Sequence, residues 1–297
     1  MKNIICLILF AISLFSCSDQ NSRSDAYGNF EAVEVIVSAL AQGKILELSV
    51  EEGDVLMQGQ EVGLIDTTDL ALRKRQLSKQ KSAISSRIAS IDAQARVQEQ
   101  QLSNYLVDQE RTRNLFQDGA ATKKQLDDIN GAVDLIKEQI QATRVQKQSI
   151  LDEIEAMEMQ IQQVEEMLND CYIENPVKGT VLVTLSEQGE VANFGKPLYK
   201  IANLEVVKLK VYVSGAQLPV IKLGQTVEVL VDKDKETNRA MEGKVSWISQ
   251  TAEFTPKTIQ TKEERVSLVY AVKIDVVNDG TLKIGMPGEV NFSTGTK

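Results

Sequence analysis

The chain of 297 residues contains no histidine. This removes the usual general base, the commonest metal ligand and every histidine-dependent nucleophilic triad, so an enzymatic reading starts without its main parts. Cysteine is scarce as well. Cys6, Cys17 and Cys171 are too few and too scattered for a disulfide framework or a zinc site, and no metal is expected. Basic residues are outnumbered, with 33 Lys plus Arg against 42 Asp plus Glu and a formal net charge of -9. The electrostatic footprint of a duplex-binding domain is missing, which excludes nucleic acid as an expected partner. Aromatic residues make up only 5% of the chain, but 42% is hydrophobic, an ordinary globular balance that argues against disorder throughout. Proline is absent until Pro176; all five prolines (Pro176, Pro197, Pro219, Pro256 and Pro287) lie from there on. The middle of the chain is therefore free to form long helices.

The apolar run of the N-terminus, Ile4 to Phe15, follows Lys2. It spans about 12 residues, whereas roughly 20 are needed to cross a bilayer as a helix, so residues 1–16 read as a signal peptide. Leu14-Phe15-Ser16-Cys17 resembles a bacterial lipobox, in which the cysteine thiol receives diacylglycerol and becomes the mature N-terminus. Phe15 is bulkier than the usual small residue at its position, which leaves an ordinary secretory signal or an uncleaved anchor as alternatives. Each buried methylene contributes about 0.8 kcal/mol, so the acyl chains on Cys17 would tether the protein to a membrane without spanning it. Ser18 to Ser24 reads as a polar tether.

From Thr67 to about Asp118, apolar residues recur at Leu70, Leu77, Ile84, Ile88, Ile91, Ala95, Leu102 and Tyr105, a heptad pattern with lapses at Lys74, Lys81 and Gln98. The next stretch is cleaner: Leu126, Ile129, Val133, Ile136, Ile140, Thr143, Lys147, Ile150, Ile154, Met157, Ile161, Val164 and Leu168, with Thr143 and Lys147 the polar interruptions. Such spacing predicts a coiled-coil seam. Between the arms, Gly119 is placed to end one helix and Thr122 to cap the next, so the arms should fold back antiparallel. Each arm of about 50 residues would be on the order of 75 Å long.

The flanks of this hairpin rhyme. Upstream are Gly43, Gly53-Asp54 and Gly59; downstream are Gly179, Gly189-Glu190 and Gly195, at the same spacing and separated by short alternating strands. Such a repeat implies two similar half-sandwiches, neither able to bury its apolar face alone, brought together by the hairpin between them.

These half-motifs and the helical insert resemble the periplasmic adaptors, or membrane fusion proteins, of HlyD type in tripartite efflux and secretion systems. The resemblance implies an α+β fold: a long antiparallel α-helical coiled-coil hairpin inserted in a split lipoyl-like β-sandwich, followed by a small β-barrel. Its divisions would be a signal peptide (1–16), a lipidated tether with an N-terminal strand (17–35), lipoyl half 1 (36–66), the hairpin (67–170), lipoyl half 2 (171–203) and the barrel with a reduced membrane-proximal part (204–297). In a true lipoyl or biotinyl carrier a modifiable lysine sits on the turn between the halves; here the helical insert takes that place, so no cofactor is expected and Lys44, Lys178 and Lys196 have no claim to one. The family's hairpin tip carries Arg, Leu and Ser at fixed spacing, through which it meets an outer-membrane channel. Arg111, Leu115 and Thr122 match that spacing, with Thr in place of Ser; the bland reading is a seam residue, a solvated charge and a helix cap.

Beyond Ala202, alternating strands such as Val206–Val213, Thr226–Val231 and Val269–Val276 predict the barrel, with one short helix from Gln217 to Leu223. The runs Ala252–Lys257, Gln260-Thr261 and Glu264-Arg265, and Gly285-Met286-Pro287-Gly288, resemble segments of the same family. Tyr27 to Val37 offers a strand to whatever remains of the membrane-proximal domain. Cys171 and Trp247 read as packing residues. The resemblance further implies no catalysis, an inner-membrane transporter (ABC-type) and an outer-membrane channel as partners, a self-assembled ring of six, and a periplasmic location with the lipid in the inner membrane. Two other readings stay open: a lipoprotein coiled-coil spacer of the cell envelope, and a lipoyl or biotinyl carrier protein.

Overall fold

The computed structural model describes residues 24–234, 237–254 and 268–292. Cys17, the signal segment and the run from Thr255 to Arg265 lie outside these residues. In chain order the elements are strands β1 (Ala26–Glu31), β2 (Glu34–Ser38), β3 (Gly43–Leu48), β4 (Val55–Leu56) and β5 (Glu61–Ile65), then helices α1 (Thr68–Gln117) and α2 (Lys123–Asn169). Strands β6 (Tyr172–Glu174), β7 (Gly179–Thr184), β8 (Val191–Ala192), β9 (Pro197–Ala202) and β10 (Val206–Ser214) follow. The last are β11 (Thr226–Asp232), β12 (Asn238–Ile248), β13 (Glu253–Phe254), β14 (Leu268–Val277) and β15 (Pro287–Asn291). They divide into two compact units, one of Ile36–Pro176 with Val181–Lys200, the other holding the described residues up to Val35, Val177–Thr180 and those from Ile201 onward.

In the first unit the two repeated pieces interleave. One four-stranded sheet has the order β2-β9-β7-β4 and the other β6-β5-β3-β8, so each takes two strands from either side of the hairpin. Exchanging each strand for its repeat partner turns one order into the other. The hydrogen bonds obey the same exchange. Gly53 N–H donates to the Val181 carbonyl (2.9 Å) and Val181 N–H to that of Asp54 (2.8 Å), while Gly189 N–H donates to Ile45 (2.8 Å) and Ile45 N–H to Glu190 (2.8 Å). Gly59 N–H to Asn175 and Asn175 N–H to Gln60 are likewise repeated as Gly195 to Ala39 and Ala39 to Lys196. Neither half satisfies its own edge groups; each is completed by the other. Ile45, Val62, Ile65 and Leu198 are buried between them, each contributing roughly 1.5–3 kcal/mol.

The symmetry breaks at one buried pair. Asn175 and Tyr199, both fully buried, stand where the other half has Ala39 and Gly63. Tyr199 Oη donates to Asn175 Oδ1 (3.1 Å), and Asn175 Nδ2 donates to the Met57 carbonyl (2.8 Å). Burial pushes the Tyr199 phenol up to about 12. Gly63 cannot carry a comparable side chain, because a Cβ there would lie 2.6 Å from the Glu47 carbonyl oxygen.

Helices α1 and α2 pack against each other as an antiparallel hairpin. Val133, Ile136, Ile140, Ile150 and Val164 are buried on α2, but only Ile91 on α1. Tyr105, assigned to the seam by spacing, is 38% exposed. The difference follows from the polar lapses on α1, which leave its stripe half-covered. Those lapses are nevertheless matched across the hairpin: Lys74 pairs with Glu165 (2.9 Å), Lys81 with Glu158 (2.7 Å) and Gln98 with the buried Thr143 (2.8 Å). Lys147, the other interruption, meets Asp92 at 2.7 Å, and Gln109 donates to Asn130 at 2.7 Å. These pairs lie nearly symmetrically about Ala120, which fixes one register. The exposed ion pairs add little energy; the buried hydroxyl–amide pair is the stronger constraint on register.

In the second unit, strands β10-β1-β15-β11-β12-β14 form a ring closed by pairing of β10 with β14, with β13 appended to β14. Strand β1 was grouped with the tether by sequence; it is instead a full barrel member, and β2 from the same stretch belongs to the sandwich. Phe30, Leu209, Val229, Ile274 and Val290 fill the interior. Gly28 faces Gly288 across the β1–β15 ladder, and a Cβ on Gly28 would lie 1.8 Å from the Lys210 carbonyl oxygen. The closing turn at Gly285 binds β1 directly, with Gly285 N–H to the Phe30 carbonyl (2.8 Å) and Phe30 N–H to Met286 (2.9 Å).

Two expectations fail here. The helix expected from Gln217 to Leu223 is a single 3-10 turn, Leu218–Val220, since the backbone is already extended at Ile221. Trp247 is 42% exposed rather than a packing residue. A register shift between Val245 and Trp247 turns it to the outer face, where the Lys273 ammonium lies 5.6 Å from its ring.

Candidate functional site

The hairpin tip is the candidate docking site, and its backbone is fully specified by local chemistry. Helix α1 ends in a Schellman motif: Gly119 takes φ +74°, its N–H donates to Phe116 (3.1 Å), and Ala120 N–H donates to Leu115 (2.7 Å). Helix α2 opens with a capping box. Thr122 Oγ1 accepts from Gln125 N–H (3.3 Å), and the Gln125 side chain accepts from Thr122 N–H (2.7 Å). The Thr122 hydroxyl is thus engaged by Gln125, as the bland reading of that residue required.

Arg111 and Leu115 lie one turn apart on α1, the same face of the helix. Arg111 has 68% of its side chain exposed and pairs with Asp108 at 3.1 Å. Leu115 is 43% exposed, so it does not simply close the seam. Its carbonyl accepts from Ala120 and Ala121, which draws the turn over it. Sequence spacing missed the neighbour that enlarges this surface: Phe116 is 39% exposed. The available signal was the adjacent pair Leu115-Phe116 at a helix end, where only one member of a pair can enter a seam. The tip therefore offers a rigid turn, an apolar patch and a guanidinium held by a single exposed carboxylate.

The remaining candidates have structural surroundings. Cys171 is buried, its Sγ lies 3.3 Å from the Met167 carbonyl, and burial, with Asp170 and Asp66 nearby, pushes the thiol up. A thiol kept protonated and covered is a packing group. Lys178 binds Glu205 at 2.6 Å and Lys196 binds Glu190 at 2.8 Å, holding both carboxyls below their ordinary value. Among the described residues no helix is long and apolar enough to cross a membrane, and no group of acidic or cysteine side chains is arranged to hold a metal ion.

A family described as LcnD-like, C-terminal domain matches residues 203–297. Over nearly the whole chain, a UPF0194 membrane protein of Citrobacter koseri is 27% identical across 308 residues, covering 93% of this chain and 90% of the relative. A UPF0194 membrane protein of Yersinia pseudotuberculosis is 26% identical over 312 residues, covering 92% and 90%. Among solved structures, MacA from Actinobacillus actinomycetemcomitans superposes with a TM-score of 0.56 at 21% identity, covering 89% of this chain and 76% of MacA. The membrane fusion protein Spr0693 of Streptococcus pneumoniae R6 gives a TM-score of 0.57 at 16% identity, covering 91% and 98%. The chain has the membrane-fusion-protein fold. Within that fold, the LcnD-like match covers β10 to β15, whereas the hairpin and its flanking halves are matched only by the full-length relatives and structures.

Proposed function

We propose that this protein is a periplasmic adaptor that links an inner-membrane transporter of ABC type to an outer-membrane channel for efflux or secretion. The carrying observation is the hairpin set between two interleaved half-sandwiches and ending in a capped tip whose Leu115 and Phe116 are exposed. In this reading the sandwich is lipoyl-like, the hairpin is a coiled coil, and Arg111 and Leu115 meet the channel while Thr122 shapes the turn that presents them. An exposed apolar knob beside a guanidinium suits the loops and carboxylates at the mouth of a helical channel. Lipid on Cys17 would hold the chain to the inner membrane, and several copies, six by family resemblance, would form a ring around the conduit. The adaptor itself performs no chemistry; energy comes from the transporter.

The test is export together with crosslinking. A photocrosslinker at Phe116 should capture an outer-membrane protein in cells, and Leu115→Ser should reduce both the capture and export of the transporter's substrate at unchanged adaptor abundance. If deletion of residues 105–135 leaves export intact, the adaptor reading fails and the envelope-spacer reading takes its place.

A further inference from the structure

At the foot of the hairpin, where the chain leaves the sandwich at Asp66 and returns at Cys171, lies a cavity of about 520 Å³. That is within the ordinary range for a small-molecule site. Its wall is apolar at Leu40, Leu70 and Met167 and anionic at Asp66, Asp69 and Asp170, with Lys44 the single cation in the lining. The imbalance of three carboxylates to one ammonium is sharpened by the position of Asp170 at the C-terminal end of α2, the negative end of the helix dipole. Asp66 is held ionised by the Thr68 hydroxyl and amide, at 2.6 and 2.9 Å.

The turn that carries Phe194 is hydrogen-bonded to the segment leading into this cavity. Phe194 is 80% exposed, yet its turn is fixed at both ends: Lys196 N–H donates to Asn193 (2.9 Å), Gly195 N–H to Ala39 (2.8 Å) and Ala39 N–H to Lys196 (2.9 Å). Ala39 precedes Leu40 of the cavity wall, and Lys44 pairs in register with Val191, itself 61% exposed. In the other half of the sandwich, Gln58 and Pro176 occupy the positions of Phe194 and Leu40. The site therefore exists on one side only, where the helices enter and leave.

We propose that this cavity binds a small amphipathic organic cation, its charged nitrogen against Asp69 and Asp170 and its apolar body against Leu40, Leu70 and Met167. Anionic and neutral ligands of the same size lack the Coulombic contribution, so charge is the selecting feature. This binding is independent of channel docking and gives the protein a ligand of its own.

The test uses the detergent-solubilised full chain, with ethidium as the cationic probe and 8-anilinonaphthalene-1-sulfonate as an anionic aromatic control, followed by equilibrium dialysis. Ethidium should bind saturably, one per chain, and weaken at least tenfold in the Asp69→Asn/Asp170→Asn double variant. The Glu51→Gln/Glu52→Gln variant, which neutralises two acids elsewhere on the sandwich, should stay within twofold. Unchanged protection of Cys171 from maleimide establishes that each variant is folded. The proposal is overturned if the anionic probe binds as tightly, if ethidium binding does not saturate, or if the folded Asp69→Asn/Asp170→Asn protein binds as well as the unaltered chain.

Discussion

Asn175→Ala tests the closure of the two half-sandwiches on each other, because Ala is what the first half already carries at the equivalent position, Ala39. The backbone pairing of Asn175 with Gln60 and Gly59 should therefore survive, as it does around Ala39 with Lys196 and Gly195. What is lost is the side chain. The Met57 carbonyl gives up the Nδ2 donor at 2.8 Å but keeps Gln60 N–H at 3.3 Å, so that loss costs about 1 kcal/mol. The Tyr199 hydroxyl, in a fully buried residue, loses its acceptor, which costs about 1–3 kcal/mol. Together they destabilise the sandwich by about 2–4 kcal/mol, a ~30- to ~1,000-fold increase in its opening constant. Unfolding monitored by helix signal would be dominated by the hairpin, so the readout is local: maleimide labelling of Cys171 under native conditions, located by peptide mass. Cys171 is fully buried and its carbonyl accepts from Ile65 N–H at 2.8 Å, so it reacts only when the halves part. Adding Tyr199→Phe to Asn175→Ala removes the stranded hydroxyl and should recover part of the loss, although Tyr199→Phe alone should destabilise by about 1 kcal/mol. Labelling unchanged by Asn175→Ala, or a double variant that opens faster than the single, would refute the reasoning.

Three further outcomes are expected. Thr143→Val should destabilise the hairpin by about 1 kcal/mol through the lost bond to Gln98, seen as a lowered melting temperature by circular dichroism at 222 nm; combined with Gln98→Leu, the seam becomes apolar and stability should return to or exceed its starting value. Gly28→Ala should prevent β1 from seating, since its Cβ would overlap the Lys210 carbonyl; a loss above ~3 kcal/mol should appear as a lowered melting point in Trp247 fluorescence and new proteolysis near residue 31. Burial raises the Asp275 pKa, but the Lys208 ammonium and Ser246 hydroxyl, both at 2.7 Å, outweigh it and leave the carboxyl lowered. Its contribution to stability is thus present above the unfolded value near 3.9 and lost as pH falls through the lower folded value. Barrel melting followed from pH 6 to pH 2 should drop more steeply in the unaltered chain than in Asp275→Asn.

The features legible in the sequence were those set by local spacing. Gly119 and Thr122 announced the turn because left-handed φ and N-capping each demand particular residues, and both sit where expected. The paired glycines at Gly53 and Gly59, and at Gly189 and Gly195, announced the repeat because all four take positive φ. Long-range effects were hidden. Strand β1 could not be assigned to the barrel, since its partners β10 and β15 lie far along the chain and its composition suits any edge. Trp247 looked like a core residue because alternation alone does not reveal the register shift that turns it outward. At the candidate site, Leu115 was legible from its spacing with Arg111, whereas Phe116, in phase with the seam, was signalled only by its adjacency to Leu115 at the helix end. The cavity at the hairpin foot was invisible, since it gathers residues from the β2–β3 loop and both helix ends.

Strand β1 is the first element of the described chain, and it is hydrogen-bonded on one side to β10 and on the other to β15, the last. A nascent chain can therefore complete its sandwich and hairpin once β9 has emerged, while the earliest strand stays unsatisfied until the final one arrives. That joining closes a loop over nearly the full described chain. Any truncation ahead of Gly285 leaves one edge of β1 permanently unpaired, with only β10 beside it.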